Sequence, residues 1–339
     1  MIKISSIGKF LDQPLLSARI KKNIPAVLTL GCSAIVIDQM NHTPKEDRKK
    51  TGIKSSIILG ATILSAVNAS KIASFITKRE IPKSISEIQK TNTKIINDYL
   101  SKNTTDSVSE RILNKAKNKV LSLKDINILN TKAHSEILNK LIPPPENINA
   151  KDIFKDIGWL SIFGAIPVAG GLLGGIAADK LTEKNWKDKI PNKVNEGIYQ
   201  YLANIFLCNV GAGIALGILE KCNIKSKSAR CIGMVTGILL TGVIGGSAIA
   251  NYIGKKFINP ILSPKNKQDT RTPELIDIGL HTDDIATVAV LSGLKWIEPS
   301  LPILYSVSGY RAGIGYRNNQ KHSSHTCHKE KAHFLRSKC

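Results

Sequence analysis

The residues best suited to catalytic chemistry lie near the C-terminus, in the segment GLHTDD. His281 stands beside Asp283 and Asp284, and an imidazole with two carboxylates could serve acid–base or metal chemistry at a membrane surface. The same residues also suit a simpler role. Thr282 or Asp283 can cap a helix that starts near Ile285, where acidic side chains favour the positive helix end. We expect the cap, and no catalytic residue is assigned.

A second group of possible ligands lies in the C-terminal segment 318–339. Neutral imidazole and thiolate groups bind zinc or copper, but their spacing here matches no closed zinc module. The segment has little apolar content, so we expect a disordered tail without a metal or any other cofactor. The four candidates are His322, His325, Cys327 and His328.

Paired glycines in GAIPVAGGLLGGIAAD raise the question of phosphate binding. A dinucleotide fingerprint needs G-x-G-x-x-G, and a P-loop needs Lys followed by Ser or Thr, whereas Ile176 and Ala177 follow the last glycine here. Glycines four residues apart in an apolar helix instead allow a second helix to approach closely. We therefore predict helix packing at Gly170, Gly171, Gly174, Gly175, Gly213, Gly217, Gly233, Gly237, Gly242 and Gly246.

These glycines lie in three long runs without Lys, Arg, Asp or Glu. The runs are Ile157–Ala178, Gly197–Leu219 and Cys231–Gly254, of 22, 23 and 24 residues. About 20 apolar residues cover the ~30 Å hydrocarbon core of a bilayer, and buried helices of soluble proteins seldom run so long without a charge. The sequence predicts a glycine-rich core of three transmembrane helices within 151–260.

Shorter apolar segments flank this core. After a basic N-terminal segment (1–23), Ile24–Ile37 and Ser55–Ser70 are joined by a basic turn, which predicts a helical hairpin within 24–77. The hairpin either spans a thin region or dips partway, and we expect it to span. In 261–317, charges and prolines interrupt the apolar pattern after Leu294, which favours an interfacial or re-entrant segment.

The region 78–150 has a different character. Its apolar residues recur at helical spacing, and Ser84 with Glu87 and Ser107 with Glu110 have the spacing of capping boxes. We predict two or three amphipathic helices outside the bilayer, packed on one another, on the membrane surface or on a partner. The expected fold class is an all-α, polytopic helical membrane protein with a water-exposed amphipathic helical insert.

The charge balance indicates the kind of partner. The chain has 48 Lys and Arg against 26 Asp and Glu, a net charge of +22, which suits anionic partners. Aromatic residues make up only 5%, so base-stacking platforms are sparse, and the lysines are scattered through nearly every connection. This pattern favours a bilayer with anionic headgroups over nucleic acid. Because both predicted sides are about equally basic, neither the orientation nor the membrane is assigned.

The polar side chains within the apolar runs leave function open. Gln200, Asn204, Asn209 and Asn251 suit either hydrogen bonds between helices or a pore. We expect foremost a non-enzymatic scaffold or assembly protein that forms a homo-oligomer or binds a membrane-protein partner. A small-solute transporter or channel is the alternative, because the first hairpin resembles the one formed by the last two long apolar runs, and the two would be inverted. A membrane-surface enzyme is the third possibility.

Overall fold

The computed structural model describes residues 4–79, 81, 83–131, 134–143, 150–224, 227–262 and 295–315. Within these ranges the chain forms helices and turns and no strands. The prediction of an all-α polytopic membrane protein is confirmed, because five helical segments are long and apolar enough to cross a membrane. They are Pro14–Asn41, Arg48–Thr77, Phe154–Thr182, Trp186–Lys221 and Ile232–Leu262.

The first two of these segments form an antiparallel hairpin that follows a short helix, α1 (Ile4–Leu11). Helix α2 (Pro14–Asn41) begins with a proline, whose fixed φ and missing N–H suit the first turn of a helix. Helix α3 (Arg48–Thr77) ends at Lys78, which adopts the left-handed conformation of a C-terminal cap. Each helix extends beyond its uncharged run, so α2 includes basic residues that the sequence analysis assigned to the N-terminal segment.

The insert contains four helices in its described residues: α4 (Ile85–Leu100), α5 (Ser107–Ala116), α6 (Leu123–Thr131) and α7 (Ser135–Leu141). The capping box at the start of α4 is formed as predicted, since the backbone N–H of Ser84 donates to Glu87 at 2.7 Å and the Ser84 hydroxyl accepts from the Glu87 N–H. The predicted box at Ser107 is not formed. Asp106 caps α5 instead, because its carboxylate accepts the N–H groups of Val108 and Ser109.

The insert has an apolar core of its own, and the N-terminus joins it. Ile96, Leu113 and Ile126 are fully buried there, and Phe10 of α1 packs against this cluster. The buried Gln13 side chain donates to the Leu121 carbonyl at 2.8 Å and accepts from the Leu121 N–H at 2.7 Å. This pair of bonds fixes the insert beside the start of α2.

The remaining helices complete the bundle. Helix α8 spans Ala150–Thr182, and a 3₁₀ turn (Trp186–Lys189) leads into α9 (Ile190–Tyr201), a π-helical turn (Leu202–Phe206) and α10 (Leu207–Lys221). The next crossing consists of α11 (Lys227–Ile238), a π segment (Leu239–Gly246), α12 (Ser247–Ile253), a second π segment (Gly254–Ile258) and α13 (Asn259–Leu262). A final 3₁₀ turn (Lys295–Ser300) precedes α14 (Leu301–Ile314).

Helix α14 lies inside the bundle, parallel to α8. Its Tyr305 ring meets Phe163 edge-to-face at 5.6 Å between centroids, and further along Gly309 meets the backbone of Pro167. The helix ends at Gly315, whose φ of +69° is the left-handed value that favours glycine at a C-terminal cap. The interfacial or re-entrant prediction for 261–317 remains a prediction, since 263–294 lies outside the described residues.

The contacts between helices define two ends of the bundle. At one end, which we call the insert end, lie the start of α2, the end of α3 and the start of α8, between which the insert is attached. At the other end, which we call the far end, lie the α2–α3 turn, the α8–α9 turn and the end of α14. Helix α8 runs through the centre and contacts α3, α14, α9 and α10.

Candidate functional site

Glycines on α8 bring two neighbouring helices into close contact. A Cβ added at Gly170 or Gly174 would collide with Ser65 or Ala61 of α3. On another face of the same helix, a Cβ at Gly171 would collide with the backbone of Gly309 in α14. A Cβ at Gly175 would likewise collide with the backbone of Gly313. Gly309 and Gly313 of α14 are therefore a second pair of glycines four residues apart.

The other predicted glycines differ in what surrounds them. On α10 to α12, most of the glycines approach a neighbouring helix so closely that a Cβ would collide. These contacts join Gly213 to Ile157, Gly233 to Leu219, Gly237 to Gly211, Gly242 to Cys208, and Gly246 to Ala203. Gly217 has open space around it, since no described atom lies within 4 Å of a Cβ placed there.

Charged and amide side chains occupy one face of the segment that begins with α9. Lys193, Glu196, Gln200 and Asn204 follow one another at intervals of three, four and four residues, which places them on the same face of a helix. All four are at most 2% exposed. Together with Lys54, Asp179 and Arg311 from neighbouring helices, they form what we call the polar column.

The column begins at the far end with Asp179, in the last turns of α8. The Asp179 carboxylate forms ion pairs with the Lys54 ammonium at 2.6 Å and with the Lys193 ammonium at 3.1 Å. Asp179 and Lys193 are almost fully buried, whereas 24% of the Lys54 side chain is exposed. One carboxylate is therefore shared by two cations, which come from α3 and α9.

The C-terminal end of α14 supplies the next contact. The Lys193 ammonium donates to the carbonyl oxygen of Gly313, in the last turn of α14. The last carbonyls of a helix carry a partial negative charge, so a cation is favoured in this position. In the same turn the Arg311 guanidinium, 9% exposed, lies 3.9 Å from the Glu196 carboxylate, which brings a second carboxylate into the column.

A chain of hydrogen bonds continues along α9 from Glu196. The Gln200 amide donates to the Glu196 carboxylate at 2.7 Å, and the Asn204 amide donates to the Gln200 carbonyl oxygen at 2.8 Å. Asn204 belongs to the π-helical turn Leu202–Phe206, a form of helix that often marks functional sites. The column thus runs from an ion-paired end into the middle of the bundle.

Glu183 stands just beyond the column, between the third and fourth spans. Its carboxylate accepts a hydrogen bond from Lys189 at 2.7 Å and also lies 3.4 Å from Lys54 and 3.5 Å from Lys50. The Lys189 hydrogen bond, opposed by partial burial and aided by the three positive charges, lowers the pKa of Glu183 to about 2. The Glu183 carboxylate, just beyond the far end of the column, is therefore ionised at neutral pH.

The other two predicted polar residues lie elsewhere. Asn209 is buried on α10, and neither polar atom of its amide has a hydrogen-bond partner among the described protein atoms. Asn251 is half-buried on α12. Gln200 and Asn204 are the two predicted residues that belong to the column.

The candidates for acid–base and metal chemistry cannot be placed. His281, Asp283 and Asp284, and the tail residues His322, His325, Cys327 and His328, lie outside the described residues. Within the described ranges, no group of three or more His, Cys, Asp and Glu side chains is arranged to hold a metal ion. A small cavity of about 100 Å³ at the insert end is lined by Trp159, Lys21 and Glu298, away from the column.

The sequence analysis missed five members of the column. It gave no role to Lys54, Asp179, Lys193, Glu196 or Arg311. One signal was available, since Lys193, Glu196, Gln200 and Asn204 share a helical face. The three apolar runs were defined by their lack of charge, but Glu196 directly precedes one of them and is fully buried.

Comparisons with known proteins found no similarity: no family model matches the chain, and no curated protein or solved structure matches it.

Proposed function

We propose that the protein moves a small inorganic ion across a membrane, and that the polar column is the part that carries the ion. The observation that carries this proposal is the burial of two cations, two carboxylates and two amides, beside a third, partly exposed cation, in a bundle with five helices long enough to span a bilayer. Ionisable side chains in membrane-spanning segments are costly, and they commonly mark substrate or ion pathways.

The cost of the column supports a functional role. Removing a carboxylate or ammonium from water costs several kcal/mol even after relaxation, and a buried ion pair is often no more stabilising than apolar residues of similar volume. Apolar side chains would hold α3, α8, α9 and α14 together without this cost, and the glycines of α8 already join it closely to α3 and α14. A function that uses the charges accounts for their presence more directly than stability does.

Two features of the backbone also support transport. π-helical turns interrupt the fourth and fifth spans, and the column passes through one of them at Asn204. The 14-residue helix α14 ends at the column, so its terminal carbonyl groups meet a cation inside the bundle. Interrupted or short helices whose ends face buried charges are typical of substrate sites in secondary transporters.

Flux measurements on reconstituted vesicles test the proposal. We expect the wild-type protein to dissipate an imposed gradient of H⁺, Na⁺, K⁺ or Cl⁻. We expect Glu196→Gln to lower that flux at least about tenfold, a barrier increase of ~1.4 kcal/mol. Glu220→Gln is the matched control, because Glu220 lies on the same helical segment but pairs with Arg230 outside the column. Equal flux in empty and protein-containing vesicles for all four ions would overturn the proposal.

A membrane scaffold or assembly protein is the second candidate. It is favoured by the ion pairs of the column, which hold four helices in one arrangement as a rigid structure requires. The predicted glycines offer less support for contacts with another protein, because most of them already contact helices of the same chain. Gly217 is the predicted glycine that faces open space. Absence of flux together with a stable oligomer in a bilayer would favour this candidate.

A further inference from the structure

Buried polar atoms without protein partners occur at the inner end of the polar column and on the helices that continue beyond it. Among the described residues, these atoms are the Oδ1 of Asn204, both polar atoms of the Asn209 amide and the hydroxyl of Ser161. Each of the three side chains is at most 4% exposed. Most buried polar groups in proteins have a hydrogen-bond partner, so three such side chains require an explanation.

The register of α8 against α10 places Ser161 opposite Asn209. Gly213 of α10 meets Ile157 of α8, and Ile205 meets Gly164, so the two helices run antiparallel. Asn209 is four residues from both Ile205 and Gly213 and therefore shares their face. Ser161 lies four residues after Ile157 and three before Gly164, so it occupies the facing position.

The surroundings of Ser161 and Asn209 are apolar. Their neighbours along α8 and α10, among them Leu160, Phe163, Ile205 and Ala212, belong to a buried hydrophobic cluster. In such surroundings a polar group that lacks a hydrogen bond costs about 1–3 kcal/mol. The cost is avoided when a ligand both donates and accepts hydrogen bonds, and water needs two to four polar partners to be held in a protein interior.

We propose that Ser161, Asn204 and Asn209 bind one or two water molecules that extend the polar column. Water can donate to the Asn204 and Asn209 carbonyl oxygens and accept from the Asn209 amide or the Ser161 hydroxyl. From Lys193 to Asn209 the column would then cover about 24 Å of helix, at ~1.5 Å per residue, out of a hydrocarbon core of ~30 Å. The role of this water in transport rests on the proposed function, whereas the existence of the water site does not.

Replacing Asn209 with an apolar residue of similar size tests the site, because the sign of the change in Tm depends on whether water is bound. If water satisfies the amide, Asn209→Leu removes two hydrogen bonds and strands the neighbouring polar atoms, so Tm falls by about 2–4 °C. If the amide is dry and unsatisfied, the same change removes a cost and Tm rises. Asn68→Leu is the control, since the partly exposed Asn68 amide is bonded within its own helix. A Tm that is unchanged or raised relative to this control overturns the proposal.

Hydroxyl-radical labelling detects the water directly. Radicals formed from bound water oxidise adjacent side chains, so we expect labelling of Ile157 and Ile205 in the wild-type protein despite the burial of both. Asn209→Leu should lower this labelling several-fold, and so should Ser161→Ala, a smaller change that keeps the test available if the first variant does not fold. Wild-type protein without labelling at both isoleucines would overturn the hydration site. Labelling without ion flux would overturn the proposed function and leave the hydration site standing.

Discussion

Two regions of α8 lie about one helical turn apart and are built in opposite ways. At Gly171 and Gly175, the α8 backbone contacts the α14 backbone with no side chain between them. At Asp179, long charged side chains from α3 and α9 converge on one carboxylate that is removed from water. The first region gains stability through close packing, and the second bears the cost of desolvated charge. Only the second needs a function to explain it.

The largest effect is expected in the glycine region. Gly171→Leu places a side chain where the Gly309 carbonyl lies, and because the obstacle is backbone the two helices have to separate. We expect loss of the folded, monodisperse protein in detergent, measured by size-exclusion chromatography. Gly217→Leu should leave the elution profile unchanged, since that position faces open space. Equal behaviour of the two variants would show that the α8–α14 contact does not hold the bundle together.

The next largest effect is expected on stability, and it should be large for a buried ion pair and small for an exposed one. Asp179→Ala leaves the Lys193 ammonium buried without its carboxylate, and breaking a buried pair in this way costs about 3–5 kcal/mol. Thermal unfolding in detergent measures the loss. Glu136→Ala removes a carboxylate from the exposed pair with Lys140 at 2.7 Å and should leave the unfolding temperature almost unchanged, because solvent screens exposed ion pairs. Similar losses in both variants would contradict the burial of Asp179.

Acid titration should affect the far end of the bundle in a defined pH range. The pKa of Glu183 is lowered to about 2 in the folded protein, from an ordinary value near 4.5. Its contribution to stability is therefore fully present above pH ~4.5 and is lost as the pH falls from there towards 2. We expect Tm to decrease over this range, and Glu183→Gln to remove part of the decrease. A Tm that depends on pH to the same extent in both proteins would contradict the ion pairs of Glu183.

The two regions also differ in how far the sequence predicts them. The five spans, the paired glycines of α8 and the capping box at Ser84 are local patterns, since contiguous residues at fixed spacing determine them. The glycine partners on α14 were missed, because Gly309 and Gly313 flank Arg311 in a segment whose prolines and charges predicted an interfacial position. Helical spacing identifies contact surfaces but not the helix that covers them.

The polar column was predicted in part. Gln200 and Asn204 were recognised as polar residues within an apolar run, because their environment follows from their own segment. The charges at the ends of the runs were given no role. The structure instead folds the α8–α9 turn so that Asp179 and Lys193 are buried, and adds Lys54 and Arg311 from distant parts of the chain. Pairing between four separated segments leaves no local pattern.

The central claim is that the charges of the column serve transport and are not required for folding. Replacing one pair together, in the variant Asp179→Leu with Lys193→Met, removes both charges without leaving either of them buried alone. Lys54 loses its contact with Asp179 in this variant, but it is partly exposed and keeps Glu183 at 3.4 Å. The claim predicts a Tm close to that of the wild-type protein, because apolar residues of similar volume commonly replace buried ion pairs at little cost. It predicts as well that ion flux into reconstituted vesicles falls to the level of protein-free vesicles. Wild-type flux in this stably folded double variant would contradict the claim.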